Sequence, residues 1–329
     1  MVLGRSAGIV GTGMYVPPRV LTNHDLEQIV ETSDEWIRTR SGIVERHIMS
    51  DDQVTSDMAF EASKLALEAA AVSPSDLDLI IIGTLTADQP MPSCACEVQR
   101  RLGATRAGAT DLSAACTGFI YALTLGAGVI SSGAAETVLV VGAEGLSRVT
   151  DWTDRGTCVL LADGAGAAVL KPVPDGRGLR SSYLRADGTM RDVLYIEGGG
   201  SRHPASEETV RKRMHYIRMA GPDVFKWAVK TMEEASLEAL RRAGLTLADV
   251  DLVVPHQANI RIIDAAARRL GIPPEKFVRN IDRYGNTSTA SIPMALDEAV
   301  RGGRVHEGDT LVLVGFGGGV TWGAAVLVW

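Results

Sequence analysis

A cysteine among small residues, a histidine closing an apolar run and an asparagine beside a glycine turn are the side chains of this 329-residue chain best suited to covalent chemistry. Cys116 lies in DLSAACTGFIYAL, where a short apolar run ends and a helix pattern begins near Gly118. At a helix N-terminus, free amide N–H groups and the positive end of the dipole favour the thiolate, the nucleophilic form of cysteine. Ala114, Ala115 and Gly118 leave room for a substrate to approach the backbone. Taken singly a cysteine is more often a buried inert thiol, and Cys94, Cys96 and Cys158 are read that way. His256 closes the run VDLVVPHQAN, and the C-terminal end of a buried strand is where α/β sheets present catalytic groups. Asn286, in NIDRYGNTSTASIPMAL, reads alone as a turn residue beside Gly285. The cluster GFGGG at 315–319 lacks the Lys-Ser/Thr of a phosphate loop and the spacing of a dinucleotide fingerprint. It reads as a backbone turn whose N–H groups can face a developing oxyanion.

What must bring these residues together is a repeat. DLDLI at Asp76 recurs as DVDLV at Asp249, and RRLG at Arg100 recurs at Arg268. TVLVVG at Thr137 returns as TLVLVG at Thr310, and GAAVL at Gly166 returns at Gly323. Each pair is separated by about half the chain, far beyond the roughly 20–50 residues of a solenoid unit. The repeat implies two similar halves, 1–175 and 176–329, packed about a pseudo-twofold axis. On that axis Asn286 is the expected counterpart of Cys116, each at a strand end before a helix and the two facing one another.

The uniformly apolar runs LDLIIIGT, TVLVVGA, VDLVVPH and TLVLVGFG predict strands buried on both faces. Helix-period segments lie between them at 57–71, 94–102, 118–131, 222–243, 260–270 and 291–302. Strands alternating with helices give an α/β layered fold, and two such halves stacked make five layers, α-β-α-β-α. The segment 171–220, with Pro172, Pro174 and the charged stretch SEETVRKRM, breaks the rhythm and is read as the connection between the halves. An early insertion at 32–49, carrying Trp36, Arg38, Arg40 and Arg46, is expected to border a pocket.

Hydrophobic residues make up 46% and charged residues 22%, an ordinary balance for a chain able to bury a large core. The net charge of −7 and the lack of a basic run argue against nucleic acid. No apolar stretch approaches the ~20 residues of a membrane span. The N-terminus lacks the apolar core and cleavage site of a secretory signal. Four cysteines do not make a disulfide scaffold, and reduced thiols in a cytoplasmic protein are expected. Cys94 and Cys96 have no matching ligand pair, so no metal site is expected.

At these residues the chain resembles the thiolase superfamily and, most closely, the β-ketoacyl-[acyl-carrier-protein] synthase III family. The resemblance runs from GTGMYVPP through SDEWIRTRSGI, AACTGF, DGAGAAVL and PHQAN to YGNTS and GFGGGVTWG. It implies a thiolase-like duplicated fold, with Cys116 as nucleophile and His256 and Asn286 completing a catalytic triad. It implies coenzyme A contacts at Thr32, Trp36, Arg40, Arg155 and Asn259. It further implies docking of an acyl carrier protein at Gln257, Ala258, Asn259, Ile260 and Arg261, with Lys226, Arg268 and Arg269 as further basic contacts. Met91 stands where some members have Phe at the gate of the acyl pocket. A homodimer is implied as well.

The activity so implied is a decarboxylating Claisen condensation of a short acyl-CoA primer with malonyl-acyl-carrier protein, initiating fatty acid synthesis. Cys116 takes the acyl group. His256 Nε2 and the Asn286 amide then donate to the thioester oxygen of the enolate left by carbon dioxide. The N–H groups of Cys116 and Gly318 hold the tetrahedral oxyanion. Neither half-reaction needs a metal or redox cofactor, and acyl-CoA is a substrate. A base is not needed where decarboxylation makes the carbanion, which fits asparagine rather than a second cysteine. Other readings are an acyltransferase of the same fold acting on an alcohol or amine, a type III polyketide synthase, or a catalytically silent carrier-protein-binding module. Product mass and labelling of Cys116 by acetyl-CoA separate them.

Overall fold

A computed structural model describes residues 4–329. Its first sheet has the strand order Ala7–Tyr15, Asp163–Pro172, Val138–Gly145, Leu79–Gly83, Gly108–Leu112. Leu79–Gly83 runs parallel to both its neighbours, and Asp163–Pro172 runs antiparallel to both of its own. The second sheet has the order Gly178–Ala186, Thr321–Val328, Thr310–Gly317, Leu252–Pro255. Its last pair is parallel and the others are antiparallel. The two orders match strand for strand, and each apolar echo in the sequence falls on, or at the start of, matching strands. The fifth strand of the first sheet is reduced in the second to one parallel bridge between Val253 and Phe277.

Alternation along the strands explains their continuous apolar runs. Val138 and Val140 face a core shared with the helices Gly118–Ser131 and Ser291–Arg301. Leu139 and Val141 face the opposite way, onto Thr55–Ala69 and Cys94–Leu102. Gly221–Ala243 and Ile260–Leu270 cover the outer face of the second sheet. Five layers result, α-β-α-β-α, with the paired central helices between the sheets. Phe119, Ile120 and Leu123 of the first central helix are fully enclosed between them. Each such side chain contributes roughly 1.5–3 kcal/mol through burial.

The expected helices at 94–102, 118–131 and 260–270 have those ends. The helix expected from residue 57 begins two residues earlier, at Thr55, because the Asp57 carboxylate accepts the Val54 N–H at 2.8 Å and caps it there. The segment 171–220 is more than a connection. It contains Gly178–Ala186, an edge strand of the second sheet whose polar outer face hides it from periodicity. It also contains a short antiparallel pair, Leu194–Ile196 with Ile217–Met219. Residue 175, where the boundary between the halves is expected, lies between Asp163–Pro172 of the first sheet and Gly178–Ala186 of the second. No helix among the described residues is long and apolar enough to cross a membrane.

Candidate active site

Cys116 does not sit at the first residue of its helix. The strand Gly108–Leu112 ends, Ala115 turns into the left-handed region at φ 47°, and a single 3₁₀ turn, Ala115–Thr117, precedes the helix. The other half repeats this construction, with Ser288 at φ 48°, the turn Ser288–Ala290 and then the second central helix. The counterpart of Cys116 is therefore Thr289, and Asn286 corresponds to Ser113. The expected equivalence of Cys116 and Asn286 is corrected by this register. Nor does a strand precede Asn286: a short helix, Ile281–Tyr284, and one parallel bridge to Leu161 deliver it. Asn286 still reaches the nucleophile, because it lies on the approach to the second turn.

Two cavities meet at Cys116 and Asn286. One, of about 550 Å³, is lined among others by Leu85, Leu146, Ile196 and Ile217. The other, of about 560 Å³, runs past His256 and Phe316 to Trp36, Arg40 and Asn259. Gly318 lies on the wall of the first and Gly317 on that of the second. A Cβ on Gly317 would lie 2.6 Å from the Cys116 amide nitrogen, so only glycine allows the loop to approach the nucleophile this closely.

His256 continues the parallel pairing of its strand, its N–H donating to the Val314 carbonyl at 2.8 Å. Its ring packs edge-on to Phe316, with centroids 5.4 Å apart. Burial lowers its pKa to about 3, so the imidazole is neutral. Nδ1 lies 2.6 Å from Ser291 Oγ, which is also 2.8 Å from the Ser288 carbonyl oxygen. With its hydroxyl turned to that carbonyl, Ser291 accepts from Nδ1–H and leaves a lone pair on Nε2. With the hydroxyl turned to Nδ1, the proton sits on Nε2. The carbonyl is satisfied either way, since the Ser291 N–H also donates to it. Asn286 Oδ1 accepts the Ser288 N–H at 2.9 Å, which leaves the carboxamide NH₂ to the passage.

Burial pushes the Cys116 thiol up to about 12, against the pull of the Ser288 hydroxyl and the residue's own N–H. The helix terminus favours a thiolate, but desolvation outweighs it here, and the resting group is a thiol. Cys94 and Cys158 are buried and also raised, the latter to about 11. All four cysteines are free, and no cluster of metal-ligand type occurs among the described residues.

The guanidinium groups of Arg40 and Arg155 lie 5.9 and 4.9 Å from the Trp36 ring centroid, and of these two arginines Arg40 lines the second cavity. Asn259 Nδ2 donates to the Arg40 carbonyl at 2.8 Å, while its Oδ1 caps the helix Ile260–Leu270. Thr32 lines neither cavity; its hydroxyl is buried without a hydrogen-bond partner among the described residues. Arg46, expected beside the pocket, is buried and donates to the carbonyls of Leu21 and Val159. Met91 is 85% exposed and lines neither cavity, so within this chain it does not gate the site.

Lys226, Ala258 and Arg261 line the mouth of the second cavity, and Arg261 and Arg268 are exposed on one helix. Ile260, also in the segment expected to dock, is only partly exposed. Arg269 is paired with Glu233 at 2.5 Å. Gln257 is 1% exposed and spends its amide on the Pro255 and Val278 carbonyls, so it offers no surface to a partner. Residues not singled out in the sequence surround the turns: Glu144, Ser288, Thr289 and Ser291. The one signal for them was a carboxylate inside the apolar run TVLVVGAEG.

Comparison with known proteins agrees with this architecture. The family model for 3-oxoacyl-[acyl-carrier-protein] synthase III matches residues 110–188, and that for its C-terminal part matches 240–329. The β-ketoacyl-[acyl-carrier-protein] synthase III of Desulfitobacterium hafniense is 55% identical over 98% of both chains. That of Symbiobacterium thermophilum is 56% identical over 99% of this chain and 98% of its own. The crystal structure of 3-oxoacyl-[acyl-carrier-protein] synthase III from Aquifex aeolicus superposes with a TM-score of 0.92 at 49% identity, covering 98% of this chain and all of that one. The priming β-ketosynthase of the R1128 polyketide pathway superposes at 0.93 and 37% identity, over 100% and 97%. With relatives of this identity along its whole length and the duplicated thiolase fold, the chain belongs to the β-ketoacyl-[acyl-carrier-protein] synthase III family.

Proposed function

We infer that the chain catalyses the condensation that initiates fatty acid synthesis, joining a short acyl-CoA primer to malonyl-acyl-carrier protein with loss of carbon dioxide. The observation that carries this reading is the junction of two cavities at Cys116 and Asn286. One arm, flanked by Trp36 and two arginines, suits a nucleotide and its phosphates. The other, largely apolar, suits an acyl chain.

In the first half-reaction the Cys116 sulfur attacks the primer thioester while its proton passes to His256 Nε2, in the tautomer with Nδ1–H held by Ser291. The bond to coenzyme A breaks, and the leaving thiolate takes that proton, returning the imidazole to neutrality. In the second, malonyl-acyl-carrier protein loses carbon dioxide, and the enolate oxygen accepts from the Asn286 NH₂ and from His256 in its Nε2–H tautomer. The carbanion attacks the acyl-cysteine carbonyl, whose oxyanion accepts from the Cys116 and Gly318 amides. Collapse expels the Cys116 thiolate, which regains a proton from solvent. Trp36, Arg40, Arg155 and Asn259 hold coenzyme A. Lys226, Arg261 and Arg268 are the basic contacts for an acidic carrier protein. The protein works as a cytoplasmic homodimer and needs no metal or redox cofactor.

The test is to incubate the protein with malonyl-acyl-carrier protein and a panel of acyl-CoAs and to weigh the products. A 3-oxoacyl-carrier protein two carbons longer than the primer is expected. A simple ester, an amide or no acyl transfer would sink the reading.

A further inference from the structure

Glu144 is a fully buried carboxyl group directly behind the two turns, with no part in the reaction as derived above. It joins the halves. Oε2 accepts from Leu85 N–H at 3.2 Å and from the hydroxyls of Thr86 at 2.7 Å and Thr84 at 3.4 Å. Oε1 lies 3.2 Å from Ser288 Oγ and 2.8 Å from Thr289 Oγ1. No Lys or Arg bonds to it among the described residues, and the titratable groups that face it are the thiols of Cys116 and Cys94.

The hydrogens do not suffice for a carboxylate. Thr289 Oγ1 is 2.6 Å from the Ala115 carbonyl oxygen and 2.8 Å from Glu144 Oε1. Oxygen–oxygen contacts this short each need a proton between them. Thr289 has one, the carbonyl has none, and so the second must come from Glu144.

We propose that Glu144 is a neutral carboxylic acid in the working enzyme, a positioning residue whose proton completes a directed chain from the Ser288 hydroxyl to the Ala115 carbonyl, just before the nucleophile. The chain runs from the Ser288 O–H to Glu144 Oε1, from the Glu144 O–H to Thr289 Oγ1, and from the Thr289 O–H to the Ala115 carbonyl. It ties down both left-handed residues, Ala115 and Ser288, which no glycine relieves. An uncompensated buried charge is avoided by neutralisation, and burial does push this carboxyl upward. Neutrality also serves the nucleophile, since a carboxylate here would oppose the Cys116 thiolate. When the thiol is deprotonated, the Ser288 hydroxyl turns to the sulfur while the acid stays bonded to Thr289.

This inference rests on Cys116 as the reactive thiol but not on any particular substrate, so its tests need no turnover. Infrared difference spectra between wild type and Glu144→Gln should contain the C=O stretch of a protonated carboxylic acid, shifted by deuteration and persisting from pH 6 to 9. Thr289→Val, which removes the acceptor, should move that band to higher frequency, and Thr289→Ser should restore it. The pH midpoint of Cys116 alkylation by iodoacetamide should move by less than about half a unit in Glu144→Gln. A carboxylate band in place of the acid band would overturn the proposal. So would an alkylation midpoint lowered by a unit or more, about tenfold in rate at fixed pH. If Glu144→Gln fails to fold, the band in wild-type protein labelled with ¹³C-glutamate, and its response to Thr289→Ser, decide alone. Failure of the condensation assay would leave these spectra unaffected, so the two readings fail separately.

Discussion

Thr289 stands in the second half where Cys116 stands in the first, and its hydroxyl lies 2.6 Å from the carbonyl oxygen of Ala115. The pseudo-twofold axis thus sets the nucleophile's turn against its own counterpart. The two turns have diverged in use. One carries the sulfur; the other supplies hydroxyl groups behind it and lets Asn286 enter from its approach. One site is built from both halves, and its side chains can be tested separately.

Cys116→Ala should abolish acylation by acyl-CoA yet retain measurable decarboxylation of malonyl-acyl-carrier protein. Asn286→Ala should lose decarboxylation on the order of 10²–10³-fold, as for one oxyanion donor. Radiolabelled carbon dioxide release measures both. Undiminished decarboxylation in Asn286→Ala would remove that residue from the mechanism.

Ser291→Ala should leave His256 Nδ1 buried without its partner. Losing such a partner costs roughly 1–3 kcal/mol, about fivefold to 150-fold in rate if it falls on the transition state. The ¹⁵N shifts of the imidazole should report an altered tautomer ratio, and Ser291→Thr should recover part of it. An unchanged ratio would mean that Ser291 only packs.

Burial lowers the His256 pKa from 6.5 to about 3. Between those values the unfolded chain holds a proton that the native chain refuses. The resulting stability is complete above about pH 6.5 and is lost as the pH falls toward the native value. At ~1.36 kcal/mol per unit the loss amounts to a few kcal/mol. Urea midpoints of wild type and His256→Gln at pH 7 and pH 4 isolate it: wild type should lose more stability than the variant. Equal losses would contradict a buried neutral imidazole.

Gly317→Ala places a Cβ 2.6 Å from the Cys116 nitrogen, so the glycine loop or the nucleophile turn must shift. Overpacking of this kind costs typically 1–3 kcal/mol. Thermal unfolding should record a lower midpoint, and Cys116 acylation should slow beyond what that midpoint explains.

Raising salt should raise the KM for the carrier protein while leaving that for a truncated pantetheine thioester nearly flat, because exposed charges are screened beyond about 10 Å at 0.1 M. Arg261→Ala and Lys226→Ala should each weaken the carrier protein a few-fold and flatten the salt dependence. A carrier-protein KM indifferent to salt would discredit the patch.

The sequence alone determined the duplicated fold, because continuous apolar runs at matching positions leave little choice but buried strands in two similar sheets. It also marked Cys116, His256 and Asn286, since each breaks an apolar or small-residue pattern at the end of an element. It did not determine the register between the halves. The echoes place strands to within a few residues, whereas the match of Cys116 with Thr289 rests on two left-handed residues that have no sequence signature in Ala115 or Ser288. Tertiary structure also decided the charge state at the centre. A helix terminus favours a thiolate, but burial reverses that preference at Cys116 and keeps His256 neutral. Burial depends on what the other half of the chain brings, and local sequence carries no record of it. For the same reason Gln257 is enclosed, its amide held by the Pro255 and Val278 carbonyls, while Met91 is left in solvent.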